Sequence, residues 1–364
     1  MKIGIVGLPN VGKSTFFNAL TKHNAKMGRY PFTTVEPNLA DVEIPDKRLE
    51  VLKNVFNPKR VVPTSIKFLD VAGLVEGASQ GEGLGNKFLA QIRDTDAIVH
   101  IVRCFENQNV AHINEIISPK RDIEIVNLEL ILADLSTVEK SLEKAKIASK
   151  SGKKEEIKRV ELLTRIRDFL QKDNPVRDLK LKNNELKIIK ELNLLTQKPV
   201  IYVANVDEDY YKNNKGEEYI REVREIVRMY NAELIIMTAK ILQELSELSE
   251  ENAKEFAKEM EIPYEGLNNF VRASYKLLDI ITFFTGNENE VHAWTVKRGT
   301  PLIKAAGKIH SDMEKGFIKG EVINWKILSD SGSVAKGKEM GLYRAGGKDY
   351  IVEDGDVIYI HFLS

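Results

Sequence analysis

Lys2-Ile-Gly-Ile-Val6, then Gly7-Leu-Pro-Asn-Val-Gly-Lys-Ser-Thr15, then Phe16-Phe-Asn-Ala-Leu20 is the stretch on which the fold turns. An apolar run short enough for a buried strand leads into G-x-x-x-x-G-K-S, and helix-type spacing follows it. That order of strand, glycine loop and helix is what a phosphate-binding loop requires. Its chemistry is geometric: consecutive backbone N–H groups point inward at phosphate oxygens, and the helix that starts near Lys13 presents the positive end of its dipole. Asn10, Val11, Gly12, Lys13, Ser14 and Thr15 are therefore the expected phosphate-binding residues. Lys13 is expected to reach the β- and γ-phosphates and to act in catalysis, and Ser14 to ligate Mg2+.

Composition bounds what can surround such a loop. A chain of 364 residues exceeds what one core usually organises, so two or three domains are expected. Hydrophobic residues make up 43% and charged residues 30%, and Lys+Arg equal Asp+Glu at 54 each. The balance gives no reason to invoke a polyanion or a membrane for the chain as a whole, and DNA is not an expected partner. The single cysteine, Cys104, lies in an apolar run and has no internal disulfide partner, which fits a reducing compartment. The first strand begins at once and no apolar run approaches the roughly 18 residues of a membrane span, so neither a signal peptide nor a membrane helix is expected, and the cytoplasm is.

Further along, Tyr30-Pro-Phe-Thr-Thr-Val-Glu-Pro-Asn38 is a proline-bounded loop placed where a phosphate-binding fold carries its first switch. A threonine hydroxyl there would complete the metal shell, and Thr34 is preferred over Thr33. The strand Ile66-Lys-Phe-Leu69 leads into Asp70-Val-Ala-Gly73, a D-x-x-G in which Asp70 holds the metal and the Gly73 N–H meets the γ-phosphate. Leu74 follows where many GTPases place a water-orienting glutamine, and leucine can neither donate nor accept a hydrogen bond. The glycine-rich stretch from Glu76 to Gly85 reads either as a mobile second switch or as a surface loop.

From Asp122 the pattern becomes heptad-like, with Ile123, Val126, Leu130, Val138 and Leu142, then Leu163, Ile166 and Leu170 beyond a polar tip at 149–156. Two antiparallel helices forming an inserted arm are expected. Residues 140–190 hold sixteen Lys or Arg against eight Asp or Glu, which is either a solvated face or a contact for a polyanion such as ribosomal RNA. The nucleotide fold resumes at Pro199-Val-Ile-Tyr-Val-Ala204 and ends in Asn205-Val-Asp-Glu208. Most GTPases read N-K-x-D here, and the aspartate accepts two hydrogen bonds from guanine. Val206 and Glu208 alter that contact at its main point. Thr238-Ala-Lys240 after the strand Glu233-Leu-Ile-Ile-Met237 resembles the S-A-K loop that packs on the base.

These motifs together resemble the YchF group, the Obg-like ATPases, within the Obg branch of P-loop GTPases. They are Gly7 to Thr15, Tyr30 to Thr34, Asp70-Val-Ala-Gly-Leu-Val-Glu-Gly77, Asn205 to Glu208 and a β-rich tail, covering nearly the whole chain. The resemblance implies an α/β fold: a P-loop GTPase-like sheet with helices on both faces, an inserted α-helical coiled-coil arm and a small β-grasp (TGS) domain. It also implies hydrolysis of ATP in preference to GTP, and a hydrophobic residue, here Leu74, in the glutamine position. The expected division is a nucleotide-binding domain over 1–277 with the arm over 122–196 inserted, and a TGS-like domain over 278–364. Within the tail, a short helix capped by Thr300 and a hairpin around Asp354-Gly-Asp356 are expected. Residues 297–320 carry six Lys or Arg against two Asp or Glu, which suits either an RNA-facing surface or a structural lid.

Two expectations concern the reaction. In related GTPases an asparagine at the position of Asn10 helps coordinate a potassium ion beside the phosphates, where it supplies positive charge. His112, in a loop beyond a core strand, is either simply solvated or a candidate to orient the attacking water. The base site is expected to comprise Asn205, Val206, Glu208, Thr238, Ala239 and Lys240, the metal site Ser14, Thr34 and Asp70, and the catalytic set Lys13, Gly73 and His112. The whole reads as a slow Mg2+-dependent ATPase, a nucleotide-dependent switch acting on ribosomes or other RNA assemblies through the arm or the tail.

Overall fold

The computed structural model describes residues 1–27, 38–71, 84–107 and 116–363. In chain order the described strands are β1 (Lys2–Val6), β2 (Leu39–Glu43), β3 (Arg60–Val62), β4 (Ser65–Asp70), β5 (Ala97–Cys104), β6 (Val200–Val206), β7 (Glu233–Met237), β8 (Ile280–Gly286), β9 (Glu290–Lys297), β10 (Phe317–Asn324), β11 (Arg344–Gly346) and β12 (Asp356–Phe362). They form two six-stranded sheets in two compact units, Met1–Val42 with Lys67–Phe270 and Glu43–Ile66 with Val271–Ser364.

The sheet of the first unit has the order β2-β4-β1-β5-β6-β7. β1 runs parallel to β4 and β5, with Ile3 opposite Phe68 on one side and Ala97 on the other, and β5, β6 and β7 continue in parallel. Every residue of β5 and β6 is buried, which is why these strands read as unbroken apolar runs. The helix Lys13–Met27 follows the first loop and buries Phe16 and Leu20, one turn apart. Phe16 meets Phe270 edge-to-face at 4.9 Å between ring centroids, which adds aromatic contact to area burial.

The arm is two helices, Pro119–Ser149 and Lys154–Leu170, turning at 150–153. Their seam uses the apolar series seen in the sequence, joined by Ala145: Val138, Leu142 and Ala145 pack with Leu163, Ile166 and Leu170. The chain returns to the sheet through a short 3-10 turn, Leu195–Gln197. Asp134, wholly buried, anchors that turn by accepting from the N–H groups of Leu195 (2.8 Å) and Thr196 (2.7 Å) and from the Thr196 hydroxyl (2.7 Å). Asp134→Ala would orphan buried donors, each costing about 1–3 kcal/mol. A loss of about 2–4 kcal/mol in urea unfolding is expected; a loss under about 0.5 kcal/mol would show that the anchor is dispensable.

The sheet of the second unit has the order β11-β10-β12-β8-β9-β3. β8 and β9 form an antiparallel hairpin, β12 lies parallel to β8 and antiparallel to β10, and β3 runs parallel to β9. The helix Leu302–Ile309 covers one face, with Leu302, Ala305 and Ala306 against Phe283, Val322 and Ile360. On the other face Leu49 and Leu52 of the helix Lys47–Phe56 pack against Phe284, Val291 and Val357. Residues 43–66, which the sequence reading kept with the nucleotide-binding domain, thus belong to this unit. Asp46 caps that helix by accepting from the Arg48 N–H, and the Arg48 guanidinium pairs with both Asp46 and Asp354 at 2.7 Å.

Two local expectations for the tail are corrected. Pro301, not Thr300, occupies the N-cap position of Leu302–Ile309, and the Thr300 hydroxyl instead donates to the Lys297 carbonyl. No hairpin folds about Asp354-Gly-Asp356: residues 353–356 make a turn, with the Asp356 N–H on the Glu353 carbonyl, and β12 pairs with β10 and β8. Alternation and a D-G-D turn fit a hairpin locally, but the buried apolar positions of β12 are satisfied by distant strands.

Candidate nucleotide-binding site

The site forms beyond the carboxyl end of β1. That strand lies between β4 and β5, so successive connections leave it toward opposite edges of the sheet and open a crevice there. The loop that enters the crevice is forced by two glycines. Gly7 has φ 153° and Gly12 φ 99°, and a Cβ would stand 2.5 Å from the Ile101 carbonyl oxygen at Gly7 and 2.4 Å from Asn205 Nδ2 at Gly12. Asn10 takes the left-handed region at φ 63°, which asparagine tolerates.

Lys13 opens the helix and is 8% exposed, with its Nζ donating to the Leu8 carbonyl at 2.9 Å. Burial lowers its pKa, and the Asp70 carboxylate pushes back. At Asp70 the signs reverse: burial raises the pKa, while Lys13 and the Ser14 hydroxyl lower it. Ser14 Oγ stands 3.5 Å from Asp70 Oδ2. A phosphate anion beside Lys13 and a cation beside Asp70 would each restore the charged form that burial disfavours. Ser14 and Asp70 offer hard oxygen donors of the kind Mg2+ takes, so the donor set fits that ion. Thr34, Gly73, Leu74 and His112 lie outside the described residues.

Beside the loop lies a cavity of about 490 Å³. Asn10, Gly12 and Thr15 form its floor, and residues 205–208 at the end of β6 form one wall. Thr238, Ala239, Lys240 and Gln243, from the start of the helix Ala239–Glu247, close a second side. Asn205 lines the cavity and also ties its parts together: Nδ2 donates to the Val11 carbonyl at 2.8 Å and Oδ1 accepts from the Ala239 N–H at 2.9 Å. Val206 is buried, whereas Glu208 sits at the rim with its Oε1 4.0 Å from Lys240 Nζ. A third side is supplied by Phe105 and Asn107, just past β5.

The comparisons agree with this architecture. Residues 2–128 match the family described as 50S ribosome-binding GTPase, and residues 280–363 match YchF-GTPase_C, described as a protein of unknown function. Ribosome-binding ATPase YchF of Bacillus subtilis is 46% identical over 359 residues, which cover 99% of this chain and 98% of that relative. The chain belongs to the YchF family. The YchF protein of Haemophilus ducreyi is 47% identical over 361 residues, covering 99% of each chain. A solved YchF GTPase from Schizosaccharomyces pombe shares 35% identity and superposes with a TM-score of 0.88, covering 99% of this chain and 97% of that one.

For this YchF chain, the phosphate-loop residues, Asp70 and the two base-site segments expected from the sequence meet around one crevice. Phe105, Asn107, Asp207 and Gln243 also line it and were not anticipated. A signal for the first two existed: the loop after a central parallel strand opens on the same sheet edge as the glycine loop.

Proposed function

We propose that this chain is a Mg2+-dependent nucleoside triphosphatase that prefers ATP to GTP and works as a nucleotide-dependent switch on ribosomes. The observation that carries the reading is the glycine loop, with Lys13 buried at its end and Ser14 3.5 Å from Asp70, next to a base cavity where Val206 and Glu208 replace the lysine and aspartate of N-K-x-D. Glutamate's longer side chain cannot keep the paired geometry that guanine's N1–H and 2-amino group need, and Lys240 stands 4.0 Å from its carboxylate at the rim. Ser14 and Asp70, with Thr34, would hold Mg2+, which when bound neutralises and orients the β- and γ-phosphates. Lys13 binds those phosphates, and the loop amides fix their position. A potassium ion beside Asn10 would add positive charge, and equal rates in Na+ and K+ would remove that part of the proposal.

Turnover of the isolated chain should be slow, since Leu74 replaces the water-orienting glutamine. The name of the Bacillus subtilis and Haemophilus ducreyi relatives, ribosome-binding ATPase, supports the ribosome as the particle contacted, through the basic arm or the β-grasp unit. A ribosome-bound role places the protein in the cytoplasm; among the described residues no helix is long and apolar enough to cross a membrane. The test is phosphate release from ATP and from GTP, with and without ribosomes. Slow release from ATP that ribosomes accelerate is expected; faster release from GTP, or none from either, would overturn the proposal.

A further inference from the structure

Arg103 is a charged residue in a strand whose every position is buried, and it is itself 1% exposed. Taking a guanidinium out of water costs several kcal/mol unless its donors are used. Its Nε donates to the Phe105 carbonyl at 3.1 Å and an Nη to the Asn107 carbonyl at 3.4 Å, and its Cζ lies 4.7 Å from the centroid of the Phe105 ring. These are the two residues that form the third side of the base cavity. The carboxylate of Asp122, buried in the first turn of the arm helix Pro119–Ser149, supports the guanidinium charge against desolvation. From outside, Tyr219 donates to Glu106 at 2.9 Å, so the segment 105–107 is clasped from both sides.

We propose that Arg103 is a positioning residue for the nucleotide base: it holds the Phe105–Asn107 wall in place, with the buried Asp122 carboxylate supporting its charge. The planar guanidinium serves two carbonyls at once from its Nε and an Nη, which an ammonium cannot do with the same geometry. A leucine would pack this strand more cheaply, and it would leave the wall without the guanidinium's clasp, with the Tyr219–Glu106 bond still in place. The inference rests on the base-site reading above, and it concerns the base rather than the phosphates.

Calorimetry with ATP and with inorganic tripolyphosphate, on the full chain and on Arg103→Lys, Arg103→Met and Asp122→Asn, separates these roles. Arg103→Met is expected to weaken ATP about tenfold or more while tripolyphosphate stays within about twofold. Arg103→Lys should weaken ATP in the same sense and raise KM for ATP more than it lowers kcat, and Asp122→Asn should weaken ATP by about threefold. Equal losses for ATP and tripolyphosphate, or no loss of ATP in Arg103→Lys and Asp122→Asn, would overturn the proposal even if Arg103→Met fails to fold. Failure of the unsubstituted chain to bind ATP would instead sink the base-site reading itself.

Discussion

Lys13→Met is expected to lower ATP hydrolysis by at least about a hundredfold while leaving the nucleotide-free protein as stable as before, or more stable. On the proposed function, the loss follows from removing the cation that the glycine loop would place beside the phosphates, a charge aimed where negative charge develops in transfer. The stability result follows from the sign of the pKa shift. Lys13 is held below the ordinary lysine value, chiefly by burial, so its charged form is disfavoured by folding at neutral pH. Methionine has similar length and no charge, so the substitution removes that penalty and gives up a hydrogen bond to the Leu8 carbonyl. Hydrolysis assays and thermal melts on one preparation should therefore move in opposite directions. Retained activity, or a melt lowered in step with activity, would mean that Lys13 is part of the scaffold and not of the chemistry.

The double substitution Val206→Lys with Glu208→Asp should move the ratio of GTP to ATP affinity toward GTP by about ten- to a hundredfold. It restores N-K-x-D at the end of β6, where Asn205 already braces the phosphate loop against Ala239. The shorter carboxylate would no longer reach toward Lys240, which now stands 4.0 Å from Glu208. Glu208→Asp alone should do less, since Val206 fills the space along which a lysine stem would lie. If the ratio is unchanged in a variant that still binds ATP, base choice resides in another wall of the cavity, with Phe105 and Asn107 the first candidates.

What the sequence disclosed of this site is what local spacing can encode. The strand, loop and helix from Lys2 to Leu20 need only residues close in the chain, and the heptad series from Ile123 to Leu170 reports its own partner face. Asp70 was legible because D-x-x-G after a strand constrains one short turn. Phe105, Asn107 and Gln243 were not, because they come together through parallel pairing of β5 with β6 and the start of a helix more than a hundred residues away. The same limit applies to Glu43–Ile66. Its amphipathic helix shows an apolar face in Leu49 and Leu52, and nothing local says that β8, β9 and β12 provide the surface that covers it. Asp354-Gly-Asp356 misled for a related reason, since a turn signal does not say which strands it joins.

At the centre of the proposed function is a triphosphate held by Lys13 and the loop amides, beside a base cavity that would disfavour guanine. Titrating the purified chain with ATP and with GTP in Mg2+ buffer, by isothermal calorimetry, tests both halves at once. Binding of ATP with a clearly lower Kd than GTP is the predicted result; no heat with either nucleotide, or a lower Kd for GTP, would contradict it.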